Sequence, residues 1–140
     1  MADLARSVAS LRVFGEDLRP DEVSALLGAA PSVSYARGDQ ISTRGQVVRL
    51  ARQGMWALHA TETTPADLDA QVDELLGRLT PELGRWHELA SRFHVDFFCG
   101  WFMDQLNEGL EIGSRTMLAL GERRVVLGLD IYGADREDLL

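Results

Sequence analysis

The chain has 140 residues, 46% of them hydrophobic, and a formal charge of -8; this size suits one compact domain with a core that needs no staples. The acidic balance excludes non-specific nucleic-acid binding, which needs a basic footprint to displace phosphate counterions, and attachment to an anionic membrane surface. One cysteine cannot form an internal disulfide, no apolar run approaches the roughly 18 residues of a membrane span, and "MADLARSVAS" lacks the apolar region of a signal peptide, so the cytoplasm is the expected compartment.

The first predicted strand is "SVASLRVFG", Ser7 to Gly15, with Leu11 and Val13 on one side and Ser10, Arg12 and Phe14 on the other. A short helix follows in "RPDEVSALLG": Pro20 suits its first turn, Asp21 and Glu22 favour the dipole there, and Gly28 stops it. From Pro31 to Gly54 the chain reads as loop and short strand, with Gly38-Asp39 and Arg44-Gly45 as turns. "MWALHATE" then reads as a strand with Trp56 and Leu58 on one side and Met55, Ala57 and His59 on the other.

In "TPADLDAQVDELLGRL" the pattern predicts a helix capped by Thr64, with Pro65 in its first turn and Leu68, Val72, Leu75, Leu76 and Leu79 as its apolar stripe. Thr80-Pro81 repeats the start signal, predicting a second helix from Pro81 to about Ser91 that presents Leu83, Trp86, Leu89 and Ala90. "FHVDFFCGWFMD", Phe93 to Asp104, reads as a strand, "QLNEGLEIG" as a polar excursion, and "SRTMLALG" as a short helix ending at Gly121. The last strand, "RVVLGLDIYG", places Val125, Leu127, Leu129 and Ile131 toward the helices, and residues 134–140 form a polar tail that is expected to fray.

Both ends thus run strand, excursion, short helix and strand about a central helix pair. The expected fold is α+β, a mostly antiparallel sheet with helices on one face, its two halves ferredoxin-like, ordered over about residues 8–133 as one domain. The segments "LRVFGEDLRPDEVSALLGAAP", "RGD" at Arg37 to Asp39, "GMWALHA", "LDAQVDELLGRLTPEL" and "LALGERRVVLGLDIYG" resemble the DUF4279 family of small bacterial proteins, from about Leu11 to Tyr132. The resemblance implies a domain extent and no established activity, cofactor or catalytic residue. An all-arginine basic set with a single asparagine fits a GC-rich bacterial genome.

The aromatic stretch from Phe93 holds His94, Asp96 and Cys99, residue types that could build a nucleophile. Strand alternation nevertheless sends Cys99 to one face with Phe97 and Trp101, and His94 and Asp96 to the other, so the thiol is separated from any local base. His59, His87 and His94 fall in separate elements without metal-ligand spacing, and no GxSxG, GxxxxGK[ST] or GxGxxG occurs; neither metal nor cofactor is expected. The face opposite the helices carries Arg12, Phe14, Asp96, Phe98, Phe102, Asp130 and Tyr132, a mixture of aromatics and charges suited to contact. Arg37, Arg44, Arg49 and Arg52 stand against Asp39 alone, a locally basic segment that suits an anion or an acidic partner. A solvated hairpin is the plainer reading of that segment, and a cover by residues 37–62 or a homodimer seam is the plainer reading of the face.

The expected function is a non-enzymatic binding or interaction protein acting through that face, that segment or both, on a protein partner or on itself as a homodimer. An immunity-type role, neutralising another protein, suits its size and charge by analogy. The alternative is an enzyme or small-molecule binder with Arg12, Asp96, Asp130 and Tyr132 lining a pocket.

Overall fold

The computed structural model describes residues 2–135. In chain order the elements are β1 (Ala2–Asp3), β2 (Arg6–Gly15), α1 (Pro20–Leu27), β3 (Val33–Tyr35), β4 (Gln40–Thr43), β5 (Gln46–Leu50), β6 (Gly54–His59), α2 (Leu68–Gly77), α3 (Leu83–Arg92), β7 (His94–Phe102), β8 (Glu108–Gly109), α4 (Ser114–Glu122) and β9 (Val126–Tyr132). Most of the expected frayed tail, residues 136–140, lies outside the described residues.

Period-two alternation in β2, β6 and β7 puts Ala9, Leu11, Val13, Trp56, Leu58, Val95, Phe97 and Cys99 on one face, all buried. Against them pack Val23 and Leu27 of α1, Leu68, Val72 and Leu75 of α2, Trp86 and Leu89 of α3 and Leu120 of α4, in one contiguous cluster. The sheet order is β3-β6-β2-β7-β9. Neighbours are antiparallel except β7 and β9, which run parallel because α4 carries the chain back across the sheet between them. The fold is therefore α+β with a mostly antiparallel sheet. The two halves share the order strand, helix, strand, but β2 and β6 pair antiparallel where β7 and β9 pair parallel.

Turn chemistry follows the sequence closely. Gly28 ends α1 in the left-handed region at φ 79°, its N–H donating to the Ser24 carbonyl at 2.8 Å. Arg44 and Gly45, at φ 53° and 78°, join β4 to β5 as a two-residue hairpin turn.

The start of α2 differs from the expectation. The helix begins at Leu68 rather than at Pro65, and its cap is Asp67, whose carboxylate accepts from the Ala70 N–H at 3.0 Å. Thr64–Pro65 is a cis peptide outside the helix. Thr63 is held by β2 instead: Ser7 and Thr63 form an antiparallel bridge and their hydroxyls meet at 2.9 Å, so the chain stays extended past the apparent start signal. Behind this bridge sits buried Gln71, whose Oε1 accepts from the Ser7 hydroxyl and whose Nε2 donates to the Ser7 and Thr61 carbonyls. Every polar atom of this side chain is thereby partnered.

The parallel pairing of β1 with β8 was not legible in the sequence, because two-residue strands carry no periodicity. It is tied by Glu108, whose carboxylate accepts from the backbone N–H groups of Ala5, Asp104 and Gln105 at 2.9, 2.8 and 2.7 Å. Desolvation pushes this carboxyl upward, but the three donors outweigh it and hold it below its ordinary 4.5. A depressed carboxyl stabilises fully above the unfolded value and loses that contribution as pH falls through the folded one. Amide exchange at Ala5, Asp104 and Gln105 is therefore expected to be slower in the wild type than in Glu108→Gln near neutrality, with the difference vanishing in acid.

Candidate functional site

The strand registers lay the open face out as rows. One row runs Tyr35, Met55, Phe14, His94; the next runs Val33, Ala57, Arg12, Asp96, Val126; then His59, Ser10, Phe98, Gly128; and the last runs Arg6, Phe102, Tyr132. All seven residues expected on this face lie on it, with Asp130 opposite Gly100. The face is open: Val33, His59, His94, Val126 and Tyr132 are exposed, and the β4–β5 hairpin pairs as a separate two-stranded sheet.

Arg12 stands at the centre. Its Nε and Nη2 donate to Asp96 Oδ1 and Oδ2 at 2.9 and 2.8 Å, the two-pronged geometry that suits guanidinium to carboxylate. Its guanidinium also lies over the rings of Phe98 and Phe14, 4.0 and 4.9 Å from their centroids. His94 Nε2 sits 3.3 Å from Asp96 Oδ2 on the solvent side. Asp96, though on the open face, is thereby buried beneath its own partners.

A second group fills the far end. Arg6 lies over Phe102 at 3.8 Å, Phe102 stacks on Tyr132 with centroids 4.7 Å apart, and the Tyr132 hydroxyl donates to Asp130 at 2.7 Å. That hydrogen bond, with the carboxylate's charge, raises the phenol above its ordinary value. Arg6, Phe102 and Tyr132 border a hollow of about 450 Å³.

The four-residue pocket set of Arg12, Asp96, Asp130 and Tyr132 does not assemble as one site. Asp96 is opposite Val126 while Asp130 is opposite Gly100, four residues further along β7, which is roughly 13 Å at strand rise. The two carboxylates are separate, one held by Arg12 and the other by Tyr132, so a carboxylate dyad is excluded by register.

At the opposite end the arginine-bearing segment meets the sheet. Phe14 and Tyr35 of the face, with Arg49, Arg52, Glu16 and Gln53, line a hollow of about 410 Å³. Arg37, Arg44, Arg49 and Arg52 are all exposed and take part in no ion pair among the described residues, as is true also of Arg19, Arg78, Arg115 and Arg124; what sets the segment apart is that it places such arginines beside the aromatic end of the face. Two of the four, Arg49 and Arg52, border the face directly. The "RGD" at Arg37 to Asp39 is a turn: Gly38 is left-handed at φ 90° and the Asp39 carboxylate accepts from the Ala36 N–H at 2.8 Å.

Residues 5–134 match the model of a family described as a domain of unknown function, DUF4279. The chain belongs to the DUF4279 family. No curated protein and no solved structure gave a match. In this DUF4279 chain Cys99 lies opposite Ala9 on the helix side and is fully buried. Burial, with the charge of Asp96 adding to it, pushes its thiol up to about 12, so thiolate chemistry is switched off at neutral pH. Among the described residues no three His, Cys, Asp or Glu side chains gather to hold a metal ion, and no helix is long and apolar enough to cross a membrane.

Arg6, Tyr35 and Val33 are face residues that the sequence reading did not single out. Arg6 continues the parity of Ser10 and Arg12 and was within reach of the pattern. Tyr35 and Val33 were not, because they join the face only through the pairing of β3 with β6.

Proposed function

We propose that this protein is a binding module whose open sheet face docks a protein partner, with an acidic segment of that partner seated against Arg49 and Arg52. The observation that carries the reading is the meeting of unpaired arginines with the aromatic end of the face, Phe14 and Tyr35, in a protein of net charge -8. Aromatic and arginine side chains are enriched at interface centres, where they combine area, planarity and charge. The remainder of the face is pre-organised for contact: Arg12 is neutralised by Asp96 and Arg6 by Glu62, so covering them strands no charge. A non-enzymatic role agrees with a face whose polar groups are engaged with one another rather than poised. The hollow beside Phe14 has the volume of a small-ligand site, which keeps a small aromatic anion as the second reading.

A native mass spectrum of the chain isolated gently from its own source tests this, alongside the Arg49→Glu/Arg52→Glu variant. A second protein in stoichiometric amount, lost in the variant and released by added salt, is the expected result. A small-molecule adduct favours the second reading, and a bare chain at every concentration contradicts both.

A further inference from the structure

The two edges of the main sheet are built differently. β3 is three residues long and follows Pro31, the short, blunted edge by which proteins avoid pairing with other chains. β9 is seven residues long, contains no proline and no basic residue, and has one charge, Asp130, already bonded to Tyr132. Among the described residues nothing pairs with its outer edge. Val126, Leu129, Ile131 and Tyr132 are exposed at 52%, 41%, 56% and 48%, the densest run of exposed large apolar side chains in the described chain. Leu129 and Ile131 point to the helix side and were expected in the core; they are exposed because β9 is the last strand and the helix layer reaches only Val125, just before it, and half-buried Leu127.

We propose that the outer edge of β9 pairs antiparallel with β9 of a second copy, across a twofold axis at Leu129, joining two five-stranded sheets into one. The backbone is set for this register. The Tyr132 carbonyl accepts from the Met103 N–H, so its peptide groups face β7, and by alternation those of Leu127, Leu129 and Ile131 face outward. With Leu129 opposite its own copy, these three residues exchange about six inter-strand hydrogen bonds. Side chains match as well. Leu127 meets Ile131 of the second copy on the helix side, Val126 meets Tyr132 on the open side, and Asp130 faces Gly128, the one position with no side chain to bury its charge against. Sliding the register by two toward the C-terminus sets Asp130 against Asp130, a like-charge pair that selects against it. The full seven-residue overlap avoids that direct pair and leaves the two Asp130 side chains on a diagonal, two positions apart. The pairing takes up the β9 border of the open face, leaves its arginine end at Phe14, Tyr35, Arg49 and Arg52 clear, and would set two open faces side by side.

Sedimentation equilibrium of the full chain over a concentration series, for the wild type and Leu129→Lys, reads the pairing. The expected result is twice the 15.5 kDa chain mass, with association weakened at least roughly tenfold when two lysines meet on the axis. Leu129 is exposed enough for the lysine variant to fold, which circular dichroism verifies. Leu129→Cys adds a register test: under mild oxidation it cross-links to itself, because Cα atoms of an opposed pair lie within disulfide reach, about 5.5 Å apart. Leu127→Cys faces Ile131 and does not cross-link. Buried Cys99 does not compete. A wild type that stays monomeric throughout, a dimer indifferent to Leu129→Lys, or cross-linking through Leu127→Cys in place of Leu129→Cys overturns the proposal.

Discussion

Phe97→Ala is expected to lower the free energy of unfolding by about 3–5 kcal/mol, whereas Phe98→Ala, one residue along the same strand, is expected to cost about 1 kcal/mol, the scale of a lost cation–π contact. Phe97 is fully buried at the middle of β7, opposite Leu11 of β2 and Leu127 of β9, under the helix layer. Truncating it leaves a cavity that a close-packed core fills only in part. Phe98 points the other way and lies under the Arg12 guanidinium on the open face. Its loss is expected to weaken partner capture more than folding. Chemical denaturation of both variants reads the stability difference, and equal losses would mean that the two faces of β7 are not one buried and one open.

Arg12→Ala is expected to destabilise by about 2–4 kcal/mol, more than Asp96→Ala, with the double variant less destabilised than Arg12→Ala alone. The asymmetry follows from burial. Side-chain exposure is 30% for Arg12 and 8% for Asp96, so the arginine keeps its water when its partner goes, while the carboxylate loses both its donors and the cover they form and regains water only through the opening left. His94, at 3.3 Å on the solvent side, is a weaker substitute for two parallel N–H donors. The upper part of that range applies to fully buried pairs, and the solvent reaching Arg12 pulls the value down. A thermodynamic cycle over the four proteins measures the coupling. If the double variant loses the sum of the two single losses, the ion pair contributes nothing and the face is held by its aromatic rings.

What the sequence made legible was parity. In β2 and β7, period-two alternation with large apolar residues on one side identified both faces, because each of these strands has helices over one side only; β6 showed the alternation, but its inward side was decided by its pairing with β2. The glycine and proline punctuation around α1 and the hairpin was equally readable, since a left-handed residue at Gly28 or Gly45 is a local requirement. Register was not readable. That Arg12 lies opposite Asp96, and that Asp130 lies four positions away from it along β7, depends on how strands distant in the chain are aligned. The start of α2 failed for a related reason: Thr64 and Pro65 look like a helix start, but Thr63 is claimed by Ser7, 56 residues earlier. Gln71 shows the same limit, since its polar side chain in an otherwise apolar helix stripe makes sense only once Ser7 is placed beside it. Strand order decided the fate of Leu129 and Ile131, whose pattern promised a core that the edge of the sheet does not provide.

The candidate site combines these two levels. Its seven face residues came from parity, while its chemical character came from register: two self-satisfied groups, Arg12 with Asp96 and Arg6 with Phe102 and Tyr132, and a cluster of free arginines at one end. Charges that are already paired make a face that can be covered at little desolvation cost, and unpaired arginines at its border give orientation to whatever covers it.

A photoreactive amino acid at Val33, on the open face beside the arginine-bearing segment, tests this most directly when set against the same probe at Asp73 on the exposed side of α2, in cells that make the protein naturally. The account predicts one discrete cross-linked protein from the Val33 position, none from Asp73, and loss of the product in the Arg49→Glu/Arg52→Glu background. No product from Val33, or the same product from both positions, would contradict a binding role for the open face.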